Sequence, residues 1–281
     1  MLKRLPHAPS PNLRDYIYLI YSEPGIGKTT FAVESSALLL DFEAGYRAME
    51  VYVISFVDSE YPDSEAPAKL KNAWAGACSW SRFLIFLEWA AQNGIGGHEN
   101  LVVDTVDVAY ESCVDFVCRK NGWSSPSDGG QYGKGWGIIN DEFQGAMRRL
   151  LALGVGIGFT SHAKVRTVSP LGMEPVDKIC PSLPPSCARW LVGLADFVLF
   201  AEAGVGLDGE PVRVIHTQPS TRFEAKSRGS KSAPLPSPID LDWMAFQDAW
   251  HCCLAGEYCA PITLRRNDEY VAKSDKNNPW K

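Results

Sequence analysis

The chain has 281 residues, 46% of them hydrophobic and 21% charged, enough for one large α/β domain or one domain with appendages. A net charge of −6 excludes a globally basic nucleic-acid binder, and no apolar run approaches the roughly 20 residues that span a membrane. Residues 1–7 are basic with no apolar core or small-residue cleavage site behind them, so no secretory signal is expected and the expected compartment is the cytoplasm.

Residues 16–21 (YIYLIY) are apolar, β-branched and aromatic, and predict a strand. Ser22 to Thr29 follow as S-E-P-G-I-G-K-T, and residues 30–38 have helical character. Strand, glycine loop and helix are the context that makes G-x-x-x-x-G-K-[ST] a phosphate-binding loop, here with Ser22 in place of the first glycine. Serine is compatible with that turn where φ is negative. Glu23, Pro24, Gly25, Ile26 and Gly27, with Lys28, Thr29 and Thr30, are the expected triphosphate cradle. Its inward N–H groups and the helix N-terminus favour anions. Gly25 and Gly27 keep Cβ atoms away from the phosphates, Lys28 would reach the β/γ-phosphates, and the Thr29 hydroxyl would bind Mg²⁺.

Residues 37–42 (ALLLDF) predict a second strand that ends at Glu43, and 51–57 a third. The acidic stretch 58–65 reads as a solvated loop. Residues 79–92 predict a helix stopped by N-G-I-G-G, and 101–105 (LVVDT) a short buried strand ending in Asp104. A helix over 108–119, a long mobile loop over 121–137, a helix over 138–153 and a strand over 155–162 are expected next. Residues 167–185 read as a loop, 194–201 and 211–217 as paired strands, and 239–254 as a last helix capped by Asp240. From 213 to 231 the cations Arg213, Arg222, Lys226, Arg228 and Lys231 form a local basic patch. The domain is expected to occupy 1–260, with 261–281 a polar, frayed tail. There is no internal repeat. The eight cysteines include no C-x-x-C pair, and His251, Cys252, Cys253 and Cys259 fit no usual zinc spacing, so buried reduced thiols are expected.

At the carboxyl edge of a parallel sheet, Asp104 would hold Mg²⁺ through water, opposite Thr29. Asp107 is the expected cap of the helix that follows. Hydrolysis also needs a group that orients or deprotonates water. Thr105 stands where many P-loop ATPases place a glutamate, which leaves Glu43, with Glu23 and Glu111 as weaker candidates.

The set S-E-P-G-I-G-K-T-T, L-L-L-D-F-E-A-G, L-V-V-D-T and G-F-T-S-H-A-K resembles the RecA-like branch of P-loop ATPases. It looks most like the small phage-encoded RecA-fold proteins of single-strand annealing and recombination, over roughly residues 16 to 245. Y-G-K-G-W at 132–136 and Q-P-S-T-R-F-E-A-K-S-R at 218–228 add to the likeness. The resemblance implies an α/β fold of the RecA-like P-loop NTPase type. Its sheet would be mostly parallel, flanked by helices, with an antiparallel C-terminal strand extension. It implies an ATPase with ATP and Mg²⁺ as cofactors, Glu43 of D-F-E as catalytic glutamate and His162 as γ-phosphate sensor. It implies that Lys226 and Arg228 act on a neighbour's nucleotide, in a homo-oligomeric ring or filament. Single-stranded DNA would meet the loops after the catalytic-edge strands through Tyr132, Lys134, Trp136, Lys164 and Arg166. A single-strand-binding protein is a possible partner, and the setting would be the host cytoplasm if the chain is phage-encoded. The other class is a P-loop ATPase that drives protein remodelling or DNA packaging.

Overall fold

The computed structural model describes residues 8–57, 68–169, 174–228 and 234–264. Its regular elements, in chain order, are β1 (Ile17–Ser22), α1 (Lys28–Glu34), β2 (Leu38–Asp41), β3 (Val53–Ser55), α2 (Ala68–Ala73) and α3 (Ser79–Asn93). Then come β4 (Asn100–Asp104), α4 (Val106–Asn121), α5 (Lys134–Leu151), β5 (Gly156–Val168), β6 (Val176–Pro181) and α6 (Pro185–Leu194). β7 (Phe197–Val205), β8 (Pro211–His216), β9 (Lys226–Ser227), β10 (Ile239–Asp240) and α7 (Trp243–Ala255) complete the set.

The main sheet runs β3-β2-β4-β5-β1-β7-β8-β10. It is parallel from β3 to β7, and β8 and β10 extend it antiparallel. The central strands are apolar along their whole length because both faces are covered. Leu19, Tyr21, Leu40, Val103 and Phe159 pack against α3, α4, α5 and α6; Tyr18, Ile20, Leu39 and Val102 pack against α1 and α7. In β5, Gly158 lies under the Tyr18 ring, where an added Cβ would stand 2.3 Å from Tyr18 Cζ, so only glycine lets that ring fill the α7 side.

Parallel strands deliver their carboxyl ends to one edge, and the register sets the polar ones in a row. Ser22 pairs with His162, Asp41 with Asp104, and Asp41 with Ser55. Each of these side chains follows an apolar run, so the sheet itself assembles the site.

Four sequence expectations are corrected. The loop of 167–185 is in part a hairpin, because β5 runs on past the sheet to Val168 and pairs antiparallel with β6. Beyond Ser161 its side chains are largely part-exposed or exposed, so the hydrophobic signal fades while pairing continues. The expected mobile loop of 121–137 is packed: Asp128 accepts from the main-chain N–H groups of Ser124 and Ser125. An added Cβ on Gly129 would stand 2.5 Å from Gly135 Cα. Lys134 and Trp136 belong to α5. The cap of α7 is Asp242, which accepts from Ala245 N at 2.8 Å, whereas Asp240 sits in β10. Helix α6, unforeseen, opens with Pro185 at its first position, where proline costs no hydrogen bond; its proline-rich start reads as loop.

The acidic stretch 58–65, Lys231 and the tail beyond 264 lie outside the described residues. Residues just past the expected domain end are tied in, with Ile262 N donating to Pro238 O at 2.8 Å and Leu264 bridging Gly206. The eight cysteines are free thiols. Among the described residues no helix is long and apolar enough to cross a membrane.

Candidate nucleotide site

β1 ends in buried Ser22, which has no positive φ, while Gly25 (φ 79°) and Gly27 (φ 120°) take the left-handed conformations that open the loop. Lys28 opens α1 and folds back into the loop, only 6% exposed. Its Nζ donates to Ser22 O at 3.3 Å, Ser22 Oγ at 3.2 Å and Glu23 O at 3.2 Å. The substituted serine therefore contributes a hydroxyl acceptor that glycine lacks. Burial lowers the Lys28 pKa, and the carboxylates of Asp104 and Glu43 oppose that shift.

Asp104, at the end of β4, is 1% exposed. Its Oδ2 accepts from Thr29 Oγ1 at 3.0 Å, and its Oδ1 accepts from the Thr160 hydroxyl. Burial pushes its pKa up to about 6 against those two hydrogen bonds. Carboxylate and hydroxyl oxygens meeting at the foot of the P-loop are hard donors of the kind Mg²⁺ takes, so these residues fit the ion. Linkage fixes the sign of the pH effect. A carboxyl raised above its ordinary 3.8 stabilises the fold below that value, and the contribution is lost as pH rises through about 6. A metal held here would need the carboxylate, so Mg·ATP affinity is expected to weaken as pH falls through about 6. Calorimetry across that interval checks it, and a flat affinity would remove Asp104 from the metal site.

Asp41 is fully buried and was not singled out by the sequence. It accepts from Ser55 Oγ at 2.6 Å and from the main-chain N–H groups of Glu43 (3.2 Å) and Ala44 (2.7 Å). Burial raises its pKa. In Asp41-Phe42-Glu43 the first acid thus builds the turn and the second enters the cavity. Glu43 Oε1 lies 3.4 Å from His162 Nε2, at the place where β5 leaves the sheet. Asp107 does not cap α4; the N-cap is Thr105, with no side-chain hydrogen bond. Asp107 instead accepts from the His162 main-chain N–H at 3.2 Å and from its Nδ1 at 2.7 Å.

A cavity of about 290 Å³ follows the loop from Pro24 to Thr30 and is walled by Glu43, Thr105, His162 and Arg213. Glu23 and Glu111 are exposed and line none of it. Arg213 was seen in the sequence only as part of a basic patch. Its Nη1 lies 3.6 Å from where a Cβ on Gly27 would stand. Its place follows from topology: β8 returns antiparallel from β7, so its first residues arrive at the nucleotide edge.

The other predicted residues are not gathered here. Lys226 and Arg228 pair with or follow the start of β7, at the amino edge of the sheet. Lys226 Nζ donates to the carbonyls of Val192 (2.8 Å), Gly193 (3.1 Å) and Ala195 (2.6 Å), capping α6. Arg228 donates to Gly193 O at 2.9 Å and Asp196 Oδ1 at 3.0 Å. Tyr132 is fully exposed, Lys134 is exposed, and Trp136 is 43% exposed at the start of α5. Lys164 is exposed on β5, whereas Arg166 donates to the carbonyls of Pro181 and Leu183 and fastens the hairpin.

A glycine loop and lysine after β1, an acid at the end of β4 and a strand between them define a P-loop ATPase with a mostly parallel, helix-flanked sheet. Residues 14–229 match the AAA domain family, and the chain belongs to that family. Among solved structures, a KaiC-like protein from the hyperthermophilic archaeon Pyrococcus horikoshii is similar over 72% of this chain and 78% of its own. The identity is 13% and the TM-score 0.37. No curated protein matches the chain.

Proposed function

We propose that the chain binds Mg·ATP and hydrolyses it in the service of single-stranded DNA recombination or annealing, like the phage-encoded RecA-fold proteins it resembles. The carrying observation is the continuity of β5. The strand that brings His162 to the nucleotide cavity continues two residues later as exposed Lys164. A shift of His162 towards a γ-phosphate would move the hairpin, and a strand of phosphates on the hairpin would move His162.

In this reading the P-loop and Lys28 hold the triphosphate, Thr29 and Asp104 hold Mg²⁺, and Glu43 takes the proton of the attacking water. Arg213 adds a cation in the same subunit. The ion that Thr29 and Asp104 would hold supplies neutralisation of the triphosphate's charge. Lys226 and Arg228 would reach a neighbouring subunit's nucleotide in a ring or filament, after exchanging their α6 carbonyls for phosphate oxygens. Tyr132 and Trp136 would offer faces for base stacking, and a single-strand-binding protein would be a natural partner in the host cytoplasm.

The test is ATP turnover with and without single-stranded DNA across a salt series. DNA should raise turnover, and the gain should fade with salt as phosphate contacts are screened. Turnover indifferent to DNA, from stable rings that bind a protein, would favour remodelling or packaging.

A further inference from the structure

We propose that Asp107 is a positioning residue: it fixes the His162 ring so that Nε2 is held between Glu43 and the place a γ-phosphate would take. The proposal rests on the ATPase reading above and adds a residue to it. Asp107 is in the first turn of α4, 8% exposed, yet its hydrogen bonds go to His162 of β5 and cap no N–H group of that helix. Both oxygens cross to one residue of β5. Oδ1 takes the His162 main-chain N–H at 3.2 Å and Oδ2 takes the ring Nδ1 at 2.7 Å. Backbone and ring are thus held by one rigid group.

A carboxylate only accepts, so Nδ1 must carry the proton. That leaves Nε2 as the ring atom that addresses the cavity, where it stands 3.4 Å from Glu43 Oε1. Protonated at Nε2 as well, the ring would be a cation flanked by two carboxylates. Asp107 cannot be displaced by nucleotide, because it is buried behind the ring and lines no part of the cavity. Glu43 can, since its side chain is 39% exposed and borders the cavity. A γ-phosphate seated near Lys28 would therefore take over the Nε2 proton from Glu43 and free that carboxylate for water. Without Asp107, nothing in the described contacts stops the ring from turning its other nitrogen to the pocket.

Asp107→Asn is the discriminating variant. Its amide oxygen can still accept the main-chain N–H of His162, which turns the NH₂ towards Nδ1, leaves that nitrogen no acceptor for a proton, and leaves the ring with a proton on Nε2 alone. Three readouts are needed. They are imidazole ¹⁵N shifts of His162 in nucleotide-free protein, assigned among the five histidines with His162→Gln, Mg·ATP affinity, and single-turnover rate. The expected result is loss of the Nδ1 proton with the Nε2 proton retained, little change in affinity, and turnover lower by roughly 10- to 100-fold. An unchanged ring spectrum with unchanged turnover overturns the proposal. So does a loss of affinity or melting temperature that matches the loss of turnover, which would make Asp107 merely structural. If the unaltered protein bound no Mg·ATP, the ATPase reading would fail instead, and the ring spectrum alone would judge Asp107.

Discussion

Lys28→Ala is expected to abolish measurable Mg·ATP binding while leaving the fold intact. The ammonium is nearly buried and is parked on two carbonyls and one hydroxyl of its own loop. Those contacts show where the charge waits: within the loop that would cradle the β- and γ-phosphates. Entry of a triphosphate exchanges them for phosphate oxygens. A hydrogen bond to a charged group contributes about 1.5–3 kcal/mol, so losing a cation shared by two phosphates costs on the order of 100-fold or more in affinity. The fold should not suffer in proportion, because burying that charge already costs free energy, which is what the lowered pKa reports. Melting temperature with and without Mg·ATP separates the two effects. The variant should melt like the unaltered protein and gain nothing from nucleotide. A large drop without nucleotide would make Lys28 a structural residue.

Much of the site was legible because its parts are local in sequence. S-E-P-G-I-G-K-T is one continuous segment, and Asp104 and His162 each end an apolar run that only a covered sheet would explain. Contacts that depend on topology were not legible. Asp107 was expected to cap α4 from its place near the helix start, but its partner is 55 residues away on β5. Arg213 is brought over Gly27 by the turn-back of β8, and the sequence offers only a cation in a patch. Asp41 sat beside Glu43 in D-F-E, and the motif drew attention to the exposed acid, although the buried one builds the turn. The β5–β6 hairpin was missed for a related reason. Outside the sheet its strands bury little, so backbone pairing continues where the apolar pattern stops.

Glu43→Gln should keep Mg·ATP binding near that of the unaltered protein and lower turnover by roughly 100- to 10,000-fold, the range typical of a lost general base. The division follows from placement. Glu43 touches neither Lys28 nor the Thr29–Asp104 pair within hydrogen-bond distance, so the groups that would hold the triphosphate and the metal remain. Glutamine preserves shape and still offers Oε1 to His162, and the turn survives because Asp41 holds the main chain of residue 43, not its side chain. Only the capacity to take a proton is lost. Removing the like charge near Asp104 would, if anything, favour the ionised metal-binding carboxylate, since Glu43 is one of the groups that raise the Asp104 pKa. Binding measured by calorimetry and the chemical step measured in a single turnover should therefore move apart. If both fell together, Glu43 would belong with the residues that seat the nucleotide. The water would then have to be activated by another group.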